Sequence, residues 1–341
     1  MTATLTIHRA GPCMTVQDLG RTGQISAGLS RGGAADRKAL TEGAALLGQG
    51  SDLAVIEMMG LGGEVSVDQD TRIALTGAPM RVQIDGTVLK WNASHLLPAG
   101  ARLTIGAALE GTYGYLHVGG GVAGVSCLGA ISAHLSAGIG KPLAAGDALE
   151  LNADFAGLTG NYLETDDRFL GGPVRIVRSF QTGLFADSEV ARFQATPLKR
   201  DARANRMGVK LNPVGQGFQV ENGKNLVSES VMTGDIQITG DGTPFVLMSE
   251  CQTIGGYPRI ATVLPCDLPR VAQAPAGAEL QFRFIEIEEA VAIERQEAAA
   301  IDALSRMIKP LIRDPHTMTD LLSYNMISGM IAGDEFDEIP G

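Results

Sequence analysis

Arg72-Ile-Ala-Leu-Thr-Gly-Ala-Pro-Met80-Arg-Val-Gln-Ile-Asp-Gly86 reads as two short strands, the first broken around Gly77 to Pro79 and the second stopped at Asp85-Gly86. Each carries alternating apolar or β-branched residues and ends at Gly, Asp or Pro, as period-2 strands do. Tyr113-Gly-Tyr-Leu-His-Val118 and Val174-Arg-Ile-Val177 repeat the pattern, so residues 1 to about 288 read as short strands separated by turns. Glycine supports this: 44 of 341 residues, near 13% against a usual figure of about 7%. The glycines have no three-residue period, which excludes collagen and leaves many tight turns. The clearest early helix runs from Ala34 to Leu47, with Asp36 as cap, Leu40, Ala44 and Leu47 on one face, and Gly48 as stop.

Two phrases recur. Pro98-Ala-Gly-Ala-Arg-Leu returns as Pro275-Ala-Gly-Ala-Glu-Leu, and Ile73-Ala-Leu-Thr-Gly as Ile236-Gln-Ile-Thr-Gly. Their similar offsets favour two related halves joined near Gly160 to Pro173. The expected organisation is a first β-barrel domain at 1–165, a second at 170–288 and a helical extension at 289–341. In the extension one long helix, Glu286 to Ile308, carries Ile293, Ala300, Ile301, Leu304 and Ile308 as an apolar stripe. Pro310 and Pro315 end it, and a second helical segment follows from Thr317 to Met330.

Composition excludes several classes. Charged residues at 19% and hydrophobic ones at 45% support a sizeable core rather than a disordered chain. The net charge is 27 − 38 = −11, and no basic run exceeds Lys199-Arg200, so nucleic acid is not an expected partner. Four cysteines without a CxxC pair, and five dispersed histidines without HExxH, assign no metal site. The N-terminus lacks the basic and apolar regions of a signal peptide. Val118 to Ala133 is interrupted by five glycines and is short for a span of about 20 residues. A soluble, cytoplasmic chain without a membrane partner is expected.

Two glycine motifs fail on context. Gly119-Gly-Gly121-Val-Ala-Gly124 fits GxGxxG after a strand, but Gly138, Gly140 and Pro142 disrupt the helix that a dinucleotide fold needs. Gly138-Ile-Gly-Lys141-Pro142 puts proline where a phosphate loop needs Ser or Thr. The densest polar cluster is Ser249-Glu-Cys-Gln-Thr-Ile-Gly-Gly-Tyr-Pro-Arg-Ile-Ala261, after the apolar run Pro244 to Met248. There Glu250 can serve as acid or base, Gln252 can bind an amide and Arg259 can pair a carboxylate or phosphate. The bland alternative is a solvated hairpin loop. Cys251 has no histidine near it in sequence and reads as buried filler.

Gly11-Pro-Cys-Met-Thr15-Val-Gln17-Asp18-Leu-Gly20-Arg21-Thr-Gly23 resembles the opening of the allophanate hydrolase subunit 2, or biotin-dependent carboxyltransferase, family, which includes the C subunit of 5-oxoprolinase. Gly33-Ala-Ala-Asp36, Tyr115-Leu-His-Val-Gly-Gly120, Asn205-Arg206-Met-Gly208, Ser228-Glu229, Gly234-Asp-Ile-Gln237, Gln252-Thr253 and Gly255-Gly-Tyr-Pro-Arg-Ile-Ala261 follow in the family's order. The resemblance covers residues 5 to 285. It implies a mainly β fold of two tandem cyclophilin-like barrels, with Glu250, Gln252, Tyr257 and Arg259 as catalytic candidates. Asp36, Arg206, Ser228, Glu229, Gln237 and Thr253 become candidates for substrate binding.

The same resemblance implies action on a small amide with a subunit 1-type allophanate hydrolase partner, similar to the B subunit of 5-oxoprolinase. Two chemistries are open. One is ATP-dependent opening of 5-oxoproline to glutamate, with a lactam-utilisation protein as further partner and ATP bound with the partner. The other is carboxyl transfer to a urea-like amide from a biotin carrier, which must be a separate protein because no Met-Lys-Met motif is present. A non-catalytic module that sequesters the partner is the third reading. The sequence departs from the family at Ala35, Ala44, Ala130-Ile-Ser-Ala133, Ser179-Phe-Gln181, Glu250 (for Asp) and Ile254 (for Thr). These changes remove an Asn and an Arg that are plausible substrate contacts.

Overall fold

A computed structural model describes residues 3–155, 157, 159–220 and 226–312. The chain is mainly β. Its first half forms two sheets around one apolar core. A six-stranded sheet has the spatial order Ala148–Glu150, Thr4–Arg9, Glu64–Val67, Leu103–Ala108, Met80–Ile84 and Thr87–Val88. A seven-stranded sheet runs Met14–Gln17, Val55–Met59, Tyr113–Val118, Thr71–Gly77, Ala93–Leu97, Asn161–Tyr162 and Lys309–Pro310. Leu5, Ile7, Ile56, Ile73, Leu103 and Leu116 meet between them.

The second half closes a seven-stranded barrel in the order Gly172–Arg178, Arg259–Val263, Asp235–Ile238, Pro244–Leu247, Gly208–Pro213, Leu198–Arg200 and Glu279–Phe284. Closure is made by the last strand lying parallel to the first, with Gly172 opposite Leu280 and Ile176 opposite Phe284. It is the only parallel pairing among the described residues. The strand before Gly119 lies antiparallel to both neighbours, so no doubly wound sheet surrounds the GxGxxG segment. Along Glu279–Phe284, Leu280 and Phe282 point into the barrel while Glu279, Gln281 and Arg283 face out. Phe193 packs there against Phe218 and Phe282, with ring centroids 5.1 and 5.5 Å away.

The repeated phrases take one local shape. In both, the alanine after the glycine donates back to the proline carbonyl (Ala101 to Pro98, 3.1 Å; Ala278 to Pro275, 3.0 Å). Gly100 and Gly277 sit at φ +77° and +84°, and each glycine N–H docks on a neighbouring strand, at Val67 and Arg200.

Helix α1, Arg37–Leu47, starts as expected: the Asp36 carboxylate accepts from Ala39 N and Gly48 ends it in the left-handed region. It crosses the seven-stranded sheet so closely that a Cβ at Gly43 would overlap the His117 ring. Ala35, Leu40, Val55, Tyr113 and Tyr115 then continue into the barrel core with Val174, Ile236 and Phe282, so the halves share apolar contact. Two shorter helices, α2 (Asp187–Ala195) and α3 (Leu268–Gln273), pack against the barrel strands. The C-terminal helix, α4 (Ile287–Asp302), is shorter than expected, and a single 3-10 turn at Leu304–Arg306 follows it. Its stripe divides: Ile293 packs near Leu264 and Ile285, while Leu304 and Ile308 reach Leu46, Leu47 and Leu163 of the first half. The expected helix at 317–330 lies outside the described residues.

Candidate functional site

A chain of buried ionic contacts crosses the seam between the halves. Arg206, in the turn before Gly208–Pro213, donates from Nε to Glu250 (2.6 Å), from Nη1 to Glu57 and from Nη2 to the Gly33 carbonyl (2.6 Å). Glu57 Oε2 accepts from Ala35 N and from the Tyr115 hydroxyl, each at 2.8 Å. Asp36 N donates to Tyr115 Oη, and Asp36 Oδ2 accepts from Arg168 and from Gln273 Nε2. Arg168 continues to Glu42 through both terminal nitrogens. Glu57, Asp36, Tyr115 and Gln273 are all buried. Burial works against the Arg206 charge, but Glu57 and Glu250 more than offset it and raise its pKa. Burial, with Glu57 next, pushes the Tyr115 phenol well above its ordinary value, which keeps it a donor.

Glu250 has two neighbours besides Arg206, Ser136 and His134. Its Oε2 accepts from Ser136 N at 3.0 Å, and His134 Nδ1 lies 3.9 Å from the same oxygen. Ser136 Oγ sits beside His134 Nδ1 (3.2 Å) and donates to the Glu250 carbonyl. Ser30 Oγ touches His134 Nε2 at 2.9 Å. Burial lowers the His134 pKa, the Glu250 carboxylate opposing it.

Gln252 and Tyr257 belong to a second group. With Gln237, Asn205, Met207 and Phe245 they line a cavity of about 310 Å³. Ile236 and Ile238 fill the barrel core, so by strand alternation Gln237 points to the outer wall, where the cavity lies. Gln252 Nε2 donates to Gln237 Oε1 at 3.3 Å, and Gln237 Nε2 is buried with no partner among the described residues. A Cβ at Gly255 would overlap that nitrogen, which explains the first glycine of the Gly-Gly turn. Tyr257 is half exposed over the cavity. Asn205 and Met207 flank Arg206, and Glu250 N donates to the Arg206 carbonyl at 2.8 Å. The ionic pair is thus adjacent in the chain to residues that line the cavity, although neither Arg206 nor Glu250 lines it.

Arg259 belongs to a third group. Its Nη2 meets Glu229 at 2.8 Å, its Nη1 reaches the Ser230 carbonyl and Asp235, and Gln181 holds its Nε and backbone N. Gln181 also donates to Glu229. These contacts fasten the small two-stranded sheet of Glu229–Ser230 and Ile254–Gly255. Ser228 is exposed above Gly256, and Thr253 is buried with its carbonyl accepting from Val231 N. Asp36 is enclosed at the start of α1. The ten sequence candidates thus divide into a seam (Glu250, Arg206, Asp36), a cavity (Gln252, Tyr257, Gln237) and a flap (Arg259, Glu229, Ser228, Thr253).

Sequence reasoning passed over Glu57, Tyr115 as a hydrogen-bonding group, Ser30, His134, Ser136, Arg168, Gln181 and Gln273. Glu57 carried a readable signal, a lone carboxylate in the apolar strand Val55–Met59. The departures at 130–133 have a structural setting. Ile131 N and Ser132 N donate to Asp18, and Arg21 donates to Ser132, so this loop is bolted to the N-terminal motif.

A closed barrel joined to a two-sheet half, with an acid–arginine–acid seam and an amide-lined cavity, is the setting for the comparisons with known proteins. The chain belongs to the family described as carboxyltransferase domain, subdomain A and B, which it matches over residues 27–284. It is 31% identical over 321 residues to the C subunit of 5-oxoprolinase from Escherichia coli, covering 88% of this chain and 97% of that one. The corresponding 5-oxoprolinase C subunit from Haemophilus influenzae is 29% identical over 302 residues, covering 86% and 95%. The solved structure of Kluyveromyces lactis urea amidolyase superposes with a TM-score of 0.80 at 21% identity, a likeness of fold. That match takes in 92% of this chain and 21% of the longer protein. Among the described residues no helix is long and apolar enough to cross a membrane.

Proposed function

We propose that this chain is the C-type subunit of a 5-oxoprolinase-like enzyme, acting with partner subunits on a small cyclic amide that is opened in an ATP-dependent step. The observation that carries the reading is the whole-length match to the 5-oxoprolinase C subunit, with 97% of the Escherichia coli chain covered. The cavity's chemistry supports it. An amide offers one acceptor and one donor, and the facing Gln237 and Gln252 side chains offer the complements.

In this reading Gln252, Gln237 and the Tyr257 hydroxyl hold the amide. Glu250, held at the seam by Arg206 and Ser136 N, is the acid or base. Arg259 and Glu229 hold the flap, with Ser228 and Thr253 at its edges, and Asp36 ties the seam to α1. ATP, where used, supplies the phosphoryl group that activates the amide carbonyl. The one segment that resembles a phosphate loop does not suit a triphosphate: Lys141, after Gly138-Ile-Gly140, is exposed and tied to Asp147 at 2.8 Å. ATP is therefore assigned to the partners, a subunit 1-type protein (similar to the 5-oxoprolinase B subunit) and a lactam-utilisation protein.

The second reading, carboxyl transfer to a urea-like amide from a separate biotin carrier, draws on the family's description. The test is ATP consumption by the full chain reconstituted with its partners, with 5-oxoproline or with urea plus a biotin carrier. The expected result is stimulation by 5-oxoproline, abolished by Glu250→Gln with the complex intact, and lowered at least tenfold by Gln252→Ala. Stimulation by urea alone selects the second reading. Tight partner binding without either response makes the chain a regulatory module.

A further inference from the structure

We propose that the protein holds a small monovalent anion, of the size of chloride or nitrate, in the joint between its halves, and that the Arg200 guanidinium and the Tyr113 hydroxyl bind it. The site is separate from the amide cavity, and the inference does not rest on the amide reading. Along Leu198–Arg200 only Lys199 is exposed. Leu198 lies in the barrel core, as does Leu211, which stands opposite Arg200, so strand alternation turns Arg200 inward with them. Arg200 is 6% exposed, and among the described residues its side chain makes no hydrogen bond, ion pair or ring contact. The other buried arginines are all engaged: Arg21 with Ser132, Arg72 with Asp154, Arg168 with Asp36 and Glu42, and Arg259 with Glu229 and Asp235. Arg200 Nε is sealed from solvent without an acceptor, which leaves the Nη1–Nη2 edge to meet a ligand. A buried charge without a partner is costly, and such a group in a folded protein calls for an ion.

Tyr113 reaches the same joint from the first half. Gln273 Oε1 accepts from Thr112 N and Tyr113 N at 3.0 and 2.9 Å. Four residues on, Gly277 N donates to the Arg200 carbonyl at 2.9 Å, and Arg200 N donates to Ala278. The Tyr113 ring shares a core with Leu198 and Leu211, and its hydroxyl has no partner among the described residues. Burial lowers the Arg200 pKa, with the Tyr113 phenol opposing. Burial, then Glu57, pushes the phenol up, with Arg206 and Arg200 opposing, so it stays a donor. Arg206 is already matched by Glu57 and Glu250, and Asp201 is taken by Arg203. One positive charge is left over, and one negative charge balances it. A dianion would place a surplus charge near Glu57, where poor screening makes repulsion strong. The bound ion would join a barrel residue to a sheet residue and so add to the contact between the halves.

The test is thermal unfolding of the full chain at fixed ionic strength, with sodium gluconate, a bulky monovalent anion, replaced stepwise by chloride, nitrate or sulfate. Chloride and nitrate should raise the wild-type melting temperature by roughly 5 °C at about a hundred times Kd. Arg200→Met should show neither response, and in gluconate it should melt no lower than wild type because it removes an unpaired buried charge. Tyr113→Phe should need several-fold more chloride for the same shift. Sulfate stabilises folded proteins generally and should act equally on wild type and Arg200→Met. Chloride NMR line broadening gives the direct reading: wild type should broaden the line, nitrate should reverse this, and Arg200→Met should not broaden it. An equal chloride response in wild type and Arg200→Met overturns the proposal, as does the lack of any response in wild type. So does a sulfate response that depends on Arg200 as strongly as the chloride one. An Arg200→Met chain that melts well below wild type in gluconate, or fails to fold, overturns it too.

Discussion

Replacing Arg206 by Met removes the cation between two buried carboxylates. Glu57 and Glu250 are 1% and 3% exposed, so neither can turn to water. Each keeps some support: Glu57 from Ala35 N and the Tyr115 hydroxyl, Glu250 from Ser136 N. Breaking a buried ion pair from one side costs about 3–5 kcal/mol, and the remaining donors keep the expected loss within that range. At about 2 °C per kcal/mol for a chain this long, the melting temperature should fall by roughly 6–10 °C. The loss should also depend on pH. Without the guanidinium, burial and mutual repulsion raise the folded-state pKa of both carboxylates. The folded variant then takes up protons before the unfolded chain does as pH falls, so its deficit against wild type shrinks between pH 7.5 and 5.5. Urea unfolding at the two pH values measures both effects. A loss below about 1 kcal/mol, or a deficit equal at both pH values, would refute the account of the seam as an energetic unit.

Three further outcomes are expected. Gly43→Ala should destabilise by about 1–3 kcal/mol through overlap with His117, although alanine alone favours helix by about 1 kcal/mol; a gain in urea midpoint would show that α1 can move aside. Burial pushes the His117 pKa down to about 3, so the unfolded chain binds that proton first and stability is lost as pH falls from about 6.5, by roughly 5 kcal/mol at most near pH 3. His117→Gln should lose this share of acid sensitivity, and matching wild-type and variant unfolding at pH 7 and 4.5 would remove the idea. Native protein at pH 7.5 should alkylate at the exposed Cys13 and Cys127 and spare Cys251, whose thiol burial pushes up to about 11, and Cys266, raised by burial as well. Labelling of Cys251 at the rate of Cys13, read by mass spectrometry, would contradict that order.

What is legible in the sequence is local. Asp36 and Gly48 mark the ends of α1 because capping is decided within four residues, and Gly, Asp and Pro mark strand ends because turns constrain only their own backbone. The Pro-Ala-Gly-Ala phrases disclose a shared turn for the same reason. The site is legible as a list and not as an arrangement. Glu250, Gln252 and Arg259 are neighbours in sequence, yet one faces the seam, one the cavity and one the flap, since a loop beside a Gly-Gly turn can send successive side chains in different directions. Arg206 and Glu57 are 149 positions apart, and no short-range pattern could pair them. Ser30 and His134, 104 positions apart, are joined only by the packing of the two loops that carry them. The α4 boundary falls short of the sequence expectation because the apolar spacing continues past Asp302, while the contacts of Leu304 and Ile308 with the first half are tertiary.

The barrel's closing pair sets an order on biosynthesis. Gly172–Arg178 cannot gain its parallel partner until Glu279–Phe284 has been made about a hundred residues later, and such long-range pairings are slow to form. At roughly 5–20 residues per second the first strand waits for several seconds on the ribosome with both edges open, since its antiparallel partner Arg259–Val263 is also made late. The first half's two sheets, apart from the short edge strand Lys309–Pro310, are already translated by then. Helix α1 and Tyr115, part of the core shared with the barrel, then offer the emerging chain an apolar surface on which to assemble. A nascent chain stalled short of residue 279 should therefore engage chaperones through its second half, and a chain stalled beyond 284 should release them.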